Sequence, residues 1–399
     1  MFLLVWLSVI VNLSLSQSER DDQGVGISDY LASTSSAVEL DLHAYDDVQL
    51  DEHESDGATS SLSNFLSSMI LAVVGESEAD SHEGPQFDAF FVRPAHSTRD
   101  FVVGITAGAP HRNFLVVFDT GSPSLWIASS VLAMSYHSPK PGYPIRRNGL
   151  PMTVGHRFLN YMHSVTHCAV WYHGRISTSF TQWQQDFCVA VDTTVHMAGF
   201  LGVLGANLSS QFVSQNPIFW LVPIGGKVAL SLHDLSVEQA CSTDLAVVPL
   251  TRRVDTMNHW EFLATVSFDL HDPVAVYASP DTGTDRLFLN TILWNQLVDL
   301  LDVHGISLMR NHPSSSYYSP TGCQNIRRLP TISIGMGSFL YQLHGRDYAK
   351  YIPRLGVCVF KIFDLPDENE LILIGSDVLK KITSRWDSEN STISFCSPI

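Results

Sequence analysis

The tripeptide Asp-Thr-Gly occurs twice in this 399-residue chain, and the two aspartates could act together in catalysis. They begin at Asp119 and Asp281, each after an apolar run. Two carboxylates held close together cannot both ionise readily, so they share a proton and titrate as a pair. The ionised member can deprotonate a water while the protonated member donates to a carbonyl, which is general acid–base hydrolysis of an amide. Taken singly, each tripeptide is more typical of an Asx turn after a strand, so only the duplication indicates this chemistry.

The residues that follow each aspartate suit such a pair. Gly121 and Gly283 let the backbone approach the carboxylates closely. Ser122 and Thr284 come next, and each can bring a hydroxyl to its aspartate. We therefore expect both hydroxyls to support the acidic pair.

The segments that must position these residues are short and β-rich. From Phe90 onward, apolar runs are cut by Gly, Pro, Asn and Asp, a pattern that predicts an all-β body. One helix is predicted around 290–303. The clearest strands are 101–106, 114–118, 228–232, 262–268, 332–334 and 371–374.

The charge is concentrated in one part of the chain. There are 40 Asp and Glu against 23 Lys and Arg, a net charge of −17. Residues 17–90 hold 17 of the acidic side chains and one base, so the remainder is close to neutral. A nucleic-acid binder needs a basic face, so we expect no nucleic-acid partner.

The N-terminus and the cysteines predict an oxidising compartment. Residues 1–16 resemble a secretory signal, and the alternative is a buried N-terminal strand. We expect no membrane-spanning segment later in the chain. Asn207 and Asn390 begin glycosylation tripeptides. The 17 histidines show no metal-ligand spacing, so we expect no metal and no cofactor. Six cysteines allow 15 disulfide pairings.

Residues 17–90 are read as an acidic prosegment or a spacer. Their composition is typical of a loosely held chain, except that 62–74 has the apolar spacing of a short amphipathic helix. That helix could anchor the segment to the body, so the chain's own N-terminal segment is one expected partner.

In its motifs the chain resembles the pepsin-like aspartic proteases. The resemblance rests on both Asp-Thr-Gly turns in their apolar context and on two elements that pass beside such turns. The second-lobe element is Leu373-Ile374-Gly375, and the first-lobe element is Phe200-Leu201-Gly202 or Val203-Leu204-Gly205. Trp171-Tyr172-His173-Gly174 resembles the flap of that family, and Trp126 the tryptophan that a flap tyrosine contacts.

The resemblance implies a bilobed, mainly β fold with a cleft between lobes 91–248 and 249–399. Asp119 and Asp281 would be catalytic. Gly121, Tyr172, His173, Gly174, Gly283 and Thr284 would bind substrate, with Ser122, Thr284 and Trp126 supporting the pair. Tyr172 has a plain alternative, a core tyrosine in an ordinary hairpin. The resemblance also implies the disulfide Cys323–Cys358. We further expect Cys168–Cys188, which flank the flap candidate, and Cys241–Cys396 as the remaining pair.

Three departures from the family bear on activity. Pro280 precedes the second aspartate, where an aliphatic strand residue is usual, and Pro lacks a backbone donor. The flap candidate carries His173 and then Arg175 around its Gly. The N-terminal segment has no Lys and only Arg20, although the family's prosegment is typically basic.

Two functions remain in competition after this reading. The first is a secreted, monomeric aspartic endopeptidase that acts on polypeptides, released outside the cell or delivered to an acidic organelle. The second is a catalytically inactive homologue that binds peptides in the same cleft. Both intact tripeptides favour the enzyme, whereas Pro280 and the altered flap candidate favour the binder.

Overall fold

The computed structural model describes the body of the chain. The signal at 1–16, nearly all of 17–90 and the helix expected at 62–74 lie outside the described residues. The described residues belong to the second of two units, 58–399. They are 87–94, 99–108, 111–136, 142–144, 152–161, 164–178, 181–195, 197, 199–251, 258–269, 271–310, 317–320, 323–365 and 370–399.

Strands dominate these residues. Every strand expected from the sequence is present, with bounds shifted by a few residues at most. The strands are β1 (Ala89–Phe90), β2 (Val102–Ala107), β3 (Arg112–Asp119), β4 (Leu125–Ala128), β5 (Met152–Tyr161), β6 (Ser164–Ser177), β7 (Gln182–Thr193), β8 (Gly202–Gly205), β9 (Ile218–Ile224), β10 (Lys227–Ser231), β11 (Ala246–Pro249), β12 (Phe262–Phe268), β13 (Val274–Pro280), β14 (Leu287–Asn290), β15 (Tyr317–Ser319), β16 (Ile332–Met336), β17 (Phe339–Leu343), β18 (Ala349–Ile352), β19 (Val357–Phe360), β20 (Ile362–Leu365), β21 (Leu371–Ile374), β22 (Thr383–Asp387) and β23 (Thr392–Cys396).

Helices are short, with one exception. The helix expected around 290–303 is α4, which begins after Asn290, whose side-chain oxygen accepts a hydrogen bond from the Leu293 N–H at 2.9 Å. In the described residues no helix is long and apolar enough to cross a membrane. The helices are α1 (Ser130–Ser135), α2 (Gln211–Gln215), α3 (Val237–Ala240), α4 (Thr291–Val303), α5 (Gly345–Tyr348) and α6 (Ser376–Leu379), with a 3₁₀ helix at Cys323–Arg328.

The strands form two lobes joined by a shared sheet. One seven-stranded sheet, β2-β3-β8-β4-β7-β6-β5, uses only residues 102–205, and a second, β17-β16-β12-β13-β21-β14-β20, uses only residues 262–374. A six-stranded sheet, β1-β10-β9-β22-β23-β11, takes strands from both halves of the chain. A small sheet, β15-β19-β18, completes the second half. The protein is therefore mainly β and bilobed.

An aromatic core connects the first lobe to the shared sheet. Phe118 packs edge-on against Phe219, with ring centroids 5.7 Å apart, and Phe219 stacks on Trp386 at 5.4 Å. Trp260 contacts Trp386 and donates its ring N–H to the carbonyl of Ala206 at 2.9 Å. Burial of such large apolar surfaces is the main driving force for folding. Since Phe118 immediately precedes the first aspartate, this core also fixes the start of the Asp-Thr-Gly turn.

Disulfides reinforce the sheets. Cys168 is bonded to Cys188 across β6 and β7, and Cys241 is bonded to Cys396 at the end of β23. These are two of the three expected pairs. Cys358 is also disulfide-bonded, and its expected partner, Cys323, has a side chain outside the described residues.

Candidate active site

Both Asp-Thr-Gly turns begin where a buried strand ends. β3 ends at Asp119, whose carbonyl accepts the Ala206 N–H at 2.7 Å. β13 ends one residue before Asp281, whose N–H donates to the Ile374 carbonyl at 2.9 Å. Phe118, which precedes Asp119, pairs in register with Leu204 of β8, and Pro280, which precedes Asp281, pairs with Ile374 of β21. The first-lobe element is therefore Val203-Leu204-Gly205, the second of the two alternatives.

The threonines of the two turns interlock across the lobes. The hydroxyl of Thr120 donates to the carbonyl of Pro280 at 3.0 Å, and that of Thr282 donates to the carbonyl of Phe118 at 2.5 Å. Each backbone N–H also donates to the other threonine's hydroxyl, at 3.1 Å from Thr120 and 3.0 Å from Thr282. All four bonds are buried, where a lost partner costs about 1–3 kcal/mol. The turns are thus held at one fixed separation.

That separation brings the two carboxyl groups into one site. The N–H of Gly121 donates to Asp119 Oδ1 at 2.9 Å, and that of Gly283 donates to Asp281 Oδ1 at 2.8 Å. A Cβ on Gly121 would lie 2.9 Å from the Asp281 carboxyl, and one on Gly283 would collide with Asp119. Both glycines are required because each turn touches the opposite carboxyl group.

The pair holds a proton near neutral pH. Burial, together with the negative charge and hydrogen bond of Asp281, raises the pKa of Asp119 to about 7. Asp119 is only 6% exposed. A low dielectric and a like charge both disfavour ionisation of Asp119, so the pair retains a proton up to about neutral pH.

The two expected supporting hydroxyls are not equivalent. Thr284 Oγ1 donates to Asp281 Oδ2 at 2.8 Å. Ser122 lies beside both Asp119 and Tyr161, but its buried Oγ does not reach hydrogen-bond geometry with either. Asp281 therefore receives two well-formed hydrogen bonds, which suit a carboxylate, while Asp119 receives one.

Tyr161 lies near the acidic pair at the end of a β-strand that forms a hairpin. It is the last residue of β5 and pairs with Ser164, the first of β6. Its hydroxyl accepts a hydrogen bond from Trp126 Nε1 at 2.8 Å. Burial and then the nearby charge of Asp119 raise the pKa of Tyr161. The hairpin β5–β6 is thus the flap of this site, and Trp126 contacts its tyrosine.

The expectation that Tyr172 is the flap tyrosine is wrong. Tyr172 is 1% exposed and stacks on Phe187, with ring centroids 5.5 Å apart, so it is the core tyrosine of the alternative reading. His173 pairs with Asp186 at 2.7 Å on the surface, and Gly174 lies within the β6–β7 ladder. All three positions lie along the shaft of the hairpin rather than at its end. The sequence signal was the run Trp171-Tyr172-His173-Gly174, whereas the two residues between the end of β5 and the start of β6, Met162 and His163, include no glycine.

Pro280 does not interrupt its strand. It is the last residue of β13 and lies in parallel register with Ile374 of β21. Its carbonyl oxygen accepts a hydrogen bond from the Thr120 hydroxyl. Proline lacks a backbone N–H but keeps this carbonyl, so the contact between the two turns is preserved.

Arg99 is a residue that the sequence analysis missed. Its guanidinium donates to the carbonyl of Gly283, next to the acidic pair. The adjacent Asp100 pairs with Lys380 at 2.8 Å, and Lys380 pairs with Asp377 at 2.6 Å. No motif marks Arg99, because its contact joins residues far apart in the chain.

The glycosylation expectations differ in outcome. Asn207 is 2% exposed, and its side-chain oxygen accepts from both the N–H and the hydroxyl of Ser209 at 3.0 Å. A buried side chain with that role cannot carry a glycan in the folded protein, so the expectation for Asn207 is wrong. Asn390 is exposed at a hairpin turn after Asp387, and its modification stays a prediction.

Comparison with known proteins places this geometry in a family. Chymosin of Camelus dromedarius is 23% identical over 331 residues, which are 74% of this chain and 80% of chymosin. Pregnancy-associated glycoprotein of Equus caballus is 23% identical over 327 residues, 74% of this chain and 80% of its own length. Renin of Canis lupus familiaris is 22% identical over 335 residues, which are 73% of this chain and 77% of renin.

The match to a family profile covers both lobes. Residues 100–219 and 239–398 match the family described as eukaryotic aspartyl protease. Those two ranges contain both Asp-Thr-Gly turns, the interlocked threonines and the flap hairpin. Because the match spans most of the chain and the site has two facing aspartates, the chain belongs to the eukaryotic aspartyl protease family.

Proposed function

We propose that this protein is an aspartic endopeptidase in which Asp119 and Asp281 activate water together. The observation that carries the proposal is the meeting of both carboxyl groups in one site, with Asp119 buried and its pKa raised to about 7. A pair that shares one proton provides a general base and a general acid in the same place.

The hydrogen bonds suggest how the roles divide. Asp281 accepts from the Gly283 N–H and the Thr284 hydroxyl, so it is the ionised member and takes a proton from the water. The water oxygen forms a bond to the amide carbon while Asp119 gives its proton to the carbonyl oxygen. The resulting diol collapses when Asp281 gives its proton to the amide nitrogen and a diol hydroxyl returns a proton to Asp119. The C–N bond then breaks, the carboxylic acid forms and the amine leaves. The acidic pair ends with the single proton that it had at the start.

The flap hairpin supports the same function. Tyr161 lies near Asp119 and is held by Trp126, so closing the hairpin would cover the reacting amide and exclude bulk water. Gly121 and Gly283 would contact the substrate from below, together with Thr284. Tyr172, His173 and Gly174 have no part in this arrangement.

The setting of the enzyme is part of the proposal. We place it outside the cell or in an acidic organelle, as a monomer that cleaves polypeptides, because the N-terminus resembles a secretory signal and the cysteines are disulfide-bonded. The acidic segment would serve as prosegment. Asp88 and β1 are built into the shared sheet, since the Leu232 N–H donates to Asp88 at 2.6 Å, so the mature body would begin before residue 87.

The test is hydrolysis of an unstructured protein by the purified chain between pH 3 and pH 7, followed by mass spectrometry. Asp119→Asn and Asp281→Asn should each reduce cleavage by at least about 1,000-fold, because each removes one half of the acid–base pair. Asp299→Asn, on the exposed face of α4, is the matched control and should cleave normally. No cleavage by the unaltered chain, with retained binding of peptides, would establish the inactive peptide-binding homologue instead.

A further inference from the structure

Two histidines of the flap hairpin face each other across its strands. His156 of β5 and His167 of β6 are 11 residues apart, and their Nδ1 and Nε2 atoms lie 2.9 Å from each other. Their ring centroids are 5.1 Å apart. Sequence spacing alone does not connect these histidines, because a β-bulge between Val154 and Arg157 decides which side chains meet.

The pair is held in place by its neighbours. Phe158 lies directly across from His167, and the two rings stack at 4.7 Å with 17° between their planes. The Phe158 side chain is 64% exposed, so the histidines lie on the open face of the hairpin. Arg157 lies over the Trp171 ring, and its charge therefore does not occupy the space between the imidazoles. Two imidazole nitrogens thus lie within hydrogen-bond distance of each other on an accessible surface.

The separation of the nitrogens is short enough for both imidazoles to bind one metal ion. Two imidazoles bound at about 2.0 Å and at right angles have nitrogens about 2.8 Å apart, whereas tetrahedral ligands at the same distance are about 3.3 Å apart. The observed 2.9 Å is that of a hydrogen bond between the two rings, and it is also close to the right-angled separation. A rotation of the rings that turns both lone pairs toward one point would therefore complete the chelate without moving the strands. The right-angled arrangement is typical of Cu²⁺, which also binds imidazole most tightly among the divalent first-row ions.

We propose that His156 and His167 form a Cu²⁺-binding site on the flap hairpin, with water completing the coordination. Asp192 of β7 is paired in register with His167 and is exposed, which places its Cβ about 5 Å from that of His167 and adds a negative charge beside the cation. Within the described residues, no group of three or more His, Cys, Asp or Glu is gathered around one point. Among the described residues the imidazole pair is therefore the whole protein-derived chelate.

A bound ion would join the two strands that carry the flap. Tyr161 follows His156 by five residues on β5, and its partner Ser164 precedes His167 by three on β6. A link between the histidines would restrain the opening of the hairpin. The site itself does not depend on the proposed peptidase activity, so it is tested by binding.

The experiment is titration of the purified full chain with Cu²⁺, followed by electron paramagnetic resonance and calorimetry. We expect one site with hyperfine coupling to two imidazole nitrogens. His156→Gln and His167→Gln should each weaken binding at that site by at least about 100-fold, because each removes one arm of a chelate. His304→Gln, an exposed histidine at the end of α4, is the matched control and should bind as the unaltered chain does.

Hydrogen exchange provides a second measurement that needs no activity. Cu²⁺ should slow amide exchange in β5 and β6 of the unaltered chain but not of His167→Gln. Thermal melting establishes that each variant folds. Binding that is equally tight in the His156→Gln/His167→Gln double variant, or a spectrum without nitrogen coupling that these substitutions change, would overturn the proposal.

Discussion

Replacing Asp119 by asparagine should make the protein more stable at neutral pH and remove part of its pH dependence. The carboxyl group is 6% exposed, and burial and Asp281 raise its pKa from a usual value of about 3.9 to about 7. The folded chain therefore holds a proton that the unfolded chain has released. Asparagine has nearly the same shape and never carries the charge, so it removes this difference.

The magnitude follows from proton linkage. A group whose pKa is raised on folding contributes its full stability below the unfolded pKa and loses it as pH rises through the folded pKa. For Asp119 that loss extends from about pH 4 to about pH 7. Between pH 5 and pH 8 it covers about two pH units, which at about 1.4 kcal/mol per unit amounts to about 3 kcal/mol.

The assay is urea unfolding of the unaltered chain, Asp119→Asn and the surface control Asp299→Asn at pH 5 and pH 8. The free energy of unfolding of the unaltered chain should fall by about 3 kcal/mol more than that of Asp119→Asn over this interval. Asp299→Asn should behave as the unaltered chain does, because Asp299 is exposed. If Asp119→Asn keeps the full pH dependence, the two carboxyl groups do not hold a proton near neutrality, and the acid–base argument fails with it.

Three further substitutions test separate parts of the site. Tyr161→Phe should lower kcat/KM about tenfold with little change in melting temperature. Tyr172→Ala should instead destabilise the fold by about 3–5 kcal/mol. Equal kinetic losses in folded samples of both variants would contradict the flap assignment. Gly283→Ala should abolish hydrolysis because its Cβ would collide with Asp119, whereas Gly104→Ala has open space and should retain it, as turnover measurements will show. Thr282→Val should destabilise the fold by about 1–3 kcal/mol in urea unfolding, and an unchanged midpoint would show that the interlock adds no stability.

Local sequence patterns were sufficient to predict the structure wherever it depends only on residues of the same segment. The Asp-Thr-Gly turns follow apolar runs that form buried strands, because such runs pair on both sides within a sheet. The helix at Thr291–Val303 has a clear apolar period and an Asn cap, so its existence and bounds were both accessible. The mainly β fold was predictable for the same reason.

The sequence could not predict contacts that depend on register between strands. The tyrosine near the acidic pair is Tyr161 and not Tyr172. β5 ends at Tyr161 and β6 begins at Ser164, and no glycine or Asn-Gly pair stands between them in the sequence to mark a hairpin. The His156–His167 pair depends on the bulge in β5, and a shift of one residue would place one ring on the opposite face. Arg99 reaches Gly283 only after the two lobes have met.

Pro280 shows which half of the peptide unit the site requires. In the first lobe, the residue before the aspartate is Phe118, whose N–H donates to the Phe101 carbonyl at 2.8 Å and whose carbonyl accepts the Thr282 hydroxyl. In the second lobe, Pro280 cannot donate, yet its carbonyl accepts the Thr120 hydroxyl at 3.0 Å. The interlock between lobes therefore uses only carbonyl acceptors at these two positions. Because Pro280 stays in register with β21, its carbonyl still accepts the Thr120 hydroxyl. The spacing of the acidic pair is therefore compatible with a proline at this position, although the sequence alone suggested that proline would disturb the strand.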